Sequence, residues 1–318
     1  MHITMDEGER RELDTLLRGI RAQVHSHPEL SNREFETTKL VQRHLAALGL
    51  EPVELGLPTG AAALLRGGRP GQTVGLRADL DALPVTEQTG APYGSENEGV
   101  MHACGHDVHT SMLLGAAELL TKRREEIAGN ILFLFQPAEE AMVGARHVVE
   151  QGLFQRVKLL ALLGMHVWPQ LPRGEVGLRA GAFFAAVDNF RIVITGRGGH
   201  GSTPNLSRSP IGAGAALALA IPAIKAYDLP PTEPATVAVT LLQAGYCNNV
   251  IPDTCELQGT IRTFSEEARH IVAQRLQELT RSTATAWGCT GEAEISKGTP
   301  PLVNDEGLEQ VMAGAART

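Results

Sequence analysis

Four short apolar runs punctuate the first half of the chain: Ala61 to Leu65, Val74 to Ala78, Ile131 to Phe135 and Leu159 to Leu163. Apolar runs of this length without alternation fit strands buried on both faces. Longer stretches with helical spacing lie between them, as in His109 to Lys122 and Ala141 to Gln151. Strands alternating with helices predict an α/β fold with a mostly parallel central sheet flanked by helices. Ahead of the first run, Ser31-Asn32-Arg33-Glu34 reads as a capping box, with Thr38, Val41, Leu45 and Leu48 following on one helix face until Gly49.

Near residue 182 the pattern changes. Asn189 to Thr195, Thr236 to Leu242 and Thr254 to Phe264 have the composition of strands, while Pro210 to Ala220 and Ser265 to Trp287 have that of helices. Polar and apolar positions alternate better here, as in a sheet with one solvated face. Residues 183–290 are therefore expected to form a smaller α+β domain inserted into a larger one made of 1–182 and 291–318.

With 318 residues, 43% of them hydrophobic, the chain can supply two cores. Its net charge of -8 and lack of any Lys/Arg-dense block remove the footprint that a phosphate backbone requires, so nucleic acid is not an expected partner. Met1 to Glu7 offers no basic segment followed by an apolar one, and no later stretch holds eighteen uninterrupted apolar residues. A cytoplasmic protein without membrane partners is the expectation. Cys104, Cys247, Cys255 and Cys289 are too few for a disulfide scaffold, and none forms a C-x-x-C pair.

Cys104 has unusual neighbours. The segment from His102 to His109 holds three imidazoles, a thiol and a carboxylate in eight residues, with Gly105 to let the backbone turn. Nitrogen and sulfur donors at such spacing suit zinc-like ions. Three further signals follow apolar runs: Asp79 and Asp81, then Glu139 and Glu140, then His166. Taken singly, acids after a strand can be a solvated helix start and a lone His a core residue. In an open α/β sheet, however, ligands bind outside the carboxyl ends of the strands, so the signals converge on one edge. Of two adjacent carboxylates, one can bind a metal while the other serves as base to the water that the metal acidifies.

In order, HSHPELS (25–31), RADLDALP (77–84), HACGHD (102–107), FQPAEE (135–140), GMHVWP (164–169), GRGGHGS (196–202), NNVIPD (248–253) and GTIRTF (259–264) resemble the metal-dependent aminoacylase and carboxypeptidase amidohydrolases, in the branch of hippurate hydrolases and indole-acetyl-amino-acid hydrolases. The resemblance implies a catalytic domain with an inserted lid or dimerisation domain, a homodimer, and a site that in its full form takes two divalent ions per subunit (Zn, Mn, Co or Ni). It makes Cys104, His106, Glu140 and His166 metal ligands, Glu139 the general base, Asp81 a supporting acid and His200 the donor to the oxyanion. Asn249 and Arg262 match positions that hold the substrate's carbonyl or carboxylate, a task that suits an Arg fork.

Three departures accompany the match. The pattern expects another metal-ligating His from a C-terminal segment, and neither His270 nor any other remaining His has a matching context, so the chain reads as C-terminally shortened. Asn205 and Ser209 replace a His and an Asp, and Ala141-Met142-Val143 replaces a Gly-rich turn. Hydrolysis of N-acyl amino acids is the leading expectation; the alternatives are a non-catalytic binding relative and an amidase with Cys104 as nucleophile.

Overall fold

A computed structural model describes residues 5–317, which fall into two compact units, Met1–Glu175 and Val176–Thr318. Each is described by itself.

In the first unit, helices α1 (Glu7–Ser26), α2 (Phe35–Ala47), α3 (His106–Lys122), α4 (Gly144–Glu150) and α5 (Leu153–Arg156) surround strands β1 (Glu51–Pro52), β2 (Ala61–Arg66), β3 (Arg69–Asp79), β4 (Ala128–Gln136) and β5 (Leu159–Gly164). The strand order is β1-β2-β4-β3-β5. Strands β4, β3 and β5 run parallel, and β2 and β1 add an antiparallel margin. Strand side chains alternate between faces, so the apolar runs of β2 and β4 each feed two cores. Ala61, Ala63, Leu65, Phe133 and Phe135 pack with α1, α2 and α3, whereas Ala62, Leu64, Leu132 and Leu134 pack with Val148 of α4 and Leu153 of α5. Burial on both faces explains why the runs of β2 and β4 lack polar interruptions, whereas Leu160 and Leu162 of β5 are exposed.

The capping box expected at Ser31 and Glu34 does not form. Instead the Glu29 carboxylate accepts from the N–H groups of Glu36 (3.1 Å) and Thr37 (2.8 Å) at the start of α2. Ser31 and Glu34 are thereby released for contacts far along the chain.

In the second unit, β6 (Gly181–Phe184), β7 (Ala186–Thr195), β8 (Gly199–His200), α6 (Pro210–Ala220), α7 (Ala223–Tyr227), β9 (Ala235–Ala244), β10 (Val250–Ile251), β11 (Thr254–Thr263), α8 (Glu266–Ala286), β12 (Thr290–Lys297), β13 (Leu302–Asn304) and α9 (Glu306–Ala316) follow one another. An antiparallel sheet ordered β12-β7-β11-β9 packs Ile192, Ile194, Leu257 and Ile261 against Leu217 of α6 and Val272 and Leu276 of α8. The sheet continues past residue 290 through β12, where Gly291, Ala293 and Ile295 share one face; two of the three are small, which makes the alternation faint in the sequence. Arg269 ties α8 to β7 by a buried two-pronged bond to Asp188 (2.7 and 2.6 Å). Among the described residues, no helix is long and apolar enough to cross a membrane.

Candidate metal centre

Because β4, β3 and β5 are parallel, the segments leaving them emerge on one edge of the sheet. Asp79 ends β3 with Asp81 just beyond, Pro137 to Glu140 follow β4, and His166 follows β5. The fourth contribution comes from the start of α3, where Gly105 adopts φ +84° and His106 is the first helical residue. A Cβ on Gly105 would approach a Val167 methyl to 2.4 Å, so the turn demands glycine on both counts.

Cys104, His106 and His166 bring donor atoms within 4.8 Å of one another, and so do His106, Glu139 and Glu140. The Cys104 Sγ is 3.3 Å from His166 Nε2, and His106 Nε2 is 3.8 Å from Glu140 Oε1. Donors about 2.0 to 2.3 Å from a shared tetrahedral ion stand about 3.3 to 3.8 Å apart, so the set has the right size. Hydrogen bonding also fixes the tautomers. His106 Nδ1 donates to the Asp81 carbonyl (2.8 Å) and His166 Nδ1 to the Val167 carbonyl (2.6 Å), which leaves each Nε2 with a lone pair. His106 Nε2 and Glu140 Oε1 are buried and make no hydrogen bond. Orphaned acceptors in a dry site are costly unless a cation joins them, so these residues fit a divalent metal.

His109 belongs to the frame rather than to the donors. Its Nε2 accepts from Val167 N–H (2.9 Å), so Nδ1 carries the proton and donates to Asp79 Oδ1 (2.6 Å). Asp79 is also held by Arg77 (2.6 Å). Burial works against the Asp79 carboxylate, but His109, Arg77 and His106 outweigh it and depress the pKa.

The field at the centre is anionic. Burial disfavours a charged His106, yet Asp81, Cys104 and Asp79 raise its pKa to about 11. A site that draws a proton onto a fully buried imidazole draws a dication for the same reason. Glu139 shows the complementary effect: burial raises its pKa, with Asp79 and Glu140 adding to the rise and His106 opposing it. A carboxylate moved toward neutrality is a better proton acceptor for turnover near pH 7.

Asp81 and Glu34 act on this centre through the backbone. Asp81 accepts from the N–H of Glu139 with one oxygen (3.0 Å) and from the N–H of Glu140 with the other (2.9 Å), while the Ser31 hydroxyl donates to it (2.6 Å). Glu34, with no exposed surface, accepts from Ala138 N–H at 2.7 Å. Ala138 and Met142 lie in the left-handed region at φ +52° and +58°, a conformation that costs a residue with a Cβ about 1 to 2 kcal/mol. Met142 occupies the stretch where a Gly-rich turn was expected. The loop closes on Gly144, where a Cβ would fall 1.6 Å from the Pro137 carbonyl oxygen.

The second unit contains the other anticipated residues. His200 (β8) pairs in register with Val250 (β10), and Gly201 N–H donates to the Asn249 carbonyl (2.8 Å), so His200 and Asn249 share one ribbon. Ser202 N–H donates to His200 Nδ1 (3.2 Å), which puts the proton on Nε2. Arg262 lies on β11, with Nη1 donating to Thr260 and to the Ile261 carbonyl (3.0 Å).

Residues 75–318 match the description of peptidase family M20/M25/M40. The chain belongs to this family. It is 41% identical over 292 residues to an N-acetylcysteine deacetylase of Bacillus subtilis (strain 168), covering 92% of this chain and 76% of that protein. It is 40% identical over 291 residues to an N-acyl-L-amino acid amidohydrolase of Geobacillus stearothermophilus, covering 90% and 78%. A Bacillus subtilis crystal structure, described as a dinuclear metal-binding peptidase of family M20, superposes with a TM-score of 0.86 at 38% identity, covering 96% of this chain and 80% of that one.

For this M20 hydrolase, the motifs supplied the candidate donors but not the frame around them. Asp79 stood in view as one of two acids after β3, whereas Ser31 and Glu34 were hidden by their likeness to a helix cap. His102 stood in the same His-rich segment but was not among the ligands that the resemblance implied. It lines a cleft that Cys104 and His166 also line, is 4% exposed, and has both ring nitrogens without a hydrogen-bond partner.

Proposed function

We propose that this chain cleaves the amide bond of N-acyl amino acids to a carboxylate and a free amino acid. The observation that carries the reading is the meeting of thiol, imidazole and carboxylate donors beside a second carboxylate whose pKa is raised. Cys104, His106, Glu140 and His166 would hold divalent ions, two per subunit in the complete site, from among Zn, Mn, Co and Ni. Ions held there would supply Lewis-acid chemistry, polarising the amide carbonyl and acidifying water near neutral pH. Glu139 takes the proton of the attacking water and returns it to the departing nitrogen. Asp81 keeps the Glu139 and Glu140 backbones in place for this exchange.

His200, with its proton on the exposed Nε2, would donate to the oxyanion; such donors are worth about 3 to 4 kcal/mol. Asn249 and Arg262 would hold the substrate's carbonyl and carboxylate. A cytoplasmic homodimer assembled through the second unit completes the reading.

The test is hydrolysis of N-acetyl- and N-benzoyl-amino acids by chelated protein before and after manganese or zinc is restored. Activity that returns only with metal supports the proposal. Glu139→Gln is expected to keep its metal content and lose turnover; normal turnover in that variant removes Glu139 as base. Close approach of Cys104 to His166 also suits a thiol nucleophile. Activity that resists chelation and is abolished by alkylation would select that chemistry instead.

A further inference from the structure

The replacement of an Asp by Ser209 has no part in the metal centre, and its surroundings have a chemistry of their own. Ser209 is the N-cap of α6, and its side chain makes no capping bond. The residue before it, Arg208, pairs with Arg197 in an antiparallel bridge that closes the 198–207 loop at its base. Arg197 N–H donates to the Arg208 carbonyl (2.9 Å) and Arg208 N–H to the Arg197 carbonyl (2.8 Å). Residues that exchange both bonds stand directly opposite, so the two side chains leave one face of the ribbon from Cα atoms about 5.5 Å apart.

Like charges in that arrangement repel, and this pair lacks a counter-charge. Elsewhere in the second unit Arg191, Arg269 and Arg275 have carboxylate partners at Glu256, Asp188 and Asp228. Among the described residues neither Arg197 nor Arg208 has one. Asp253, on the neighbouring turn, accepts from the Gly198 N–H (2.7 Å). The first turn of α6 carries no acid either, so the positive end of the helix adds to the same field. In a chain of net charge -8, this is a local excess of the opposite sign.

Arg208 is held in place by its surroundings. Its Nη1 donates to the Ser207 carbonyl (2.7 Å), and its stem lies over Gly288, where a Cβ would fall 2.8 Å from Cδ and 3.0 Å from Nε. Gly288 is left-handed at φ +66°, so the position requires glycine on both counts. Nε and Nη2 of Arg208 and the whole guanidinium of Arg197 have no partner among the described residues. Two guanidinium forks on one face match a tetrahedral dianion, which can accept paired bonds from each, whereas a carboxylate has two oxygens and one charge and suits a single fork.

We infer that Arg197 and Arg208 form a phosphate site, in which the anion replaces the carboxylate that Ser209 lacks and clamps the base of the loop that carries His200. Free phosphate and a phosphate monoester share the chemistry the site recognises, and the site is independent of which amide the chain cleaves.

Equilibrium dialysis of the metal-loaded full chain against radiolabelled inorganic phosphate, at constant ionic strength, should find one such site per chain. Arg197→Met and Arg208→Met should each weaken it about tenfold, the scale of one charge-assisted hydrogen bond. Ser209→Asp supplies the carboxylate internally and should abolish the site while raising the thermal unfolding midpoint, because Asp also caps α6; its loss of binding is therefore not a loss of folding. Phosphate should raise the midpoint of the wild type and leave that of Ser209→Asp unchanged. Displacement of the label by glycerol phosphate would extend the site to monoesters, and failure to displace would assign it to the free ion. No saturable binding, or binding that survives all three variants and so belongs to the metal centre, overturns the inference.

Discussion

Glu34 offers the sharpest check on how the centre is built. It sits 104 residues from Ala138 in sequence, yet its carboxylate accepts the N–H of the residue that precedes the glutamate pair. Glu34→Met keeps a comparable bulk and removes the acceptor. Two effects on stability then oppose each other. The Ala138 N–H, buried without a partner, costs about 1 to 3 kcal/mol. Against this, burial had raised the Glu34 pKa, and replacing the acid removes that desolvation penalty. Net destabilisation should therefore lie at the low end, about 1 kcal/mol.

Activity receives no such compensation. Ala138 is left-handed at φ +52°, and strained conformations persist only where their surroundings over-determine them. Once released, the loop relaxes and carries Glu139 and Glu140 with it; a displacement of about 1 Å at reacting groups costs about 100-fold in rate. Glu34→Gln retains an oxygen to accept from Ala138 and should stay within a few-fold of wild type. The assay is kcat on an N-acyl amino acid alongside metal stoichiometry and thermal unfolding. A Glu34→Met enzyme with wild-type kcat, or a Gln variant impaired as much as Met, would refute the positioning argument.

Gly105→Ala should fail at the centre itself, because the added methyl collides with Val167 in a left-handed turn; metal content by elemental analysis is expected to fall while the circular dichroism of the second unit's helices persists. Met142→Gly should stabilise the protein by about 0.5 to 1 kcal/mol, the relief of left-handed strain minus the chain entropy that glycine adds, and urea denaturation would register it as a higher midpoint. Glu87 is held down at about 2 by the Thr89 hydroxyl, then by Ser95 N–H and His25. Its folded pKa lies below the unfolded value, so its contribution is present above about pH 4.5 and disappears as the pH falls toward 2. Glu87→Gln should accordingly flatten the acid limb of the stability profile between those values, and a limb identical to wild type would show that the carboxylate's contacts with Thr89, Ser95 and His25 do not stabilise the fold.

Local pattern determined a large part of this protein. The apolar runs marked β2, β3, β4 and β5, of which β2 and β4 are buried on both faces, and the parallel β3, β4 and β5 place their following segments on one edge wherever the intervening helices run. Thiol, imidazole and adjacent carboxylates pointed to this edge, the resemblance implied Cys104, His106, Glu140 and His166 as ligands, and the structure brings Cys104, His106 and His166, and His106 with Glu139 and Glu140, within 4.8 Å of one another. Only the tertiary structure decided what surrounds them. Ser31 and Glu34 match a helix cap at short range, but the geometry of the folded sheet offers them Asp81 and Ala138, and Glu29 caps α2 in their place. His106 and His109 are one helical turn apart and chemically alike; Val167 N–H and Asp79 occupy both nitrogens of His109, whereas His106 keeps one lone pair in the dry centre. Periodicity encodes which side of a strand or helix is buried, but a hydrogen-bond partner 58 or 104 residues away is set by strand order, which no local window contains.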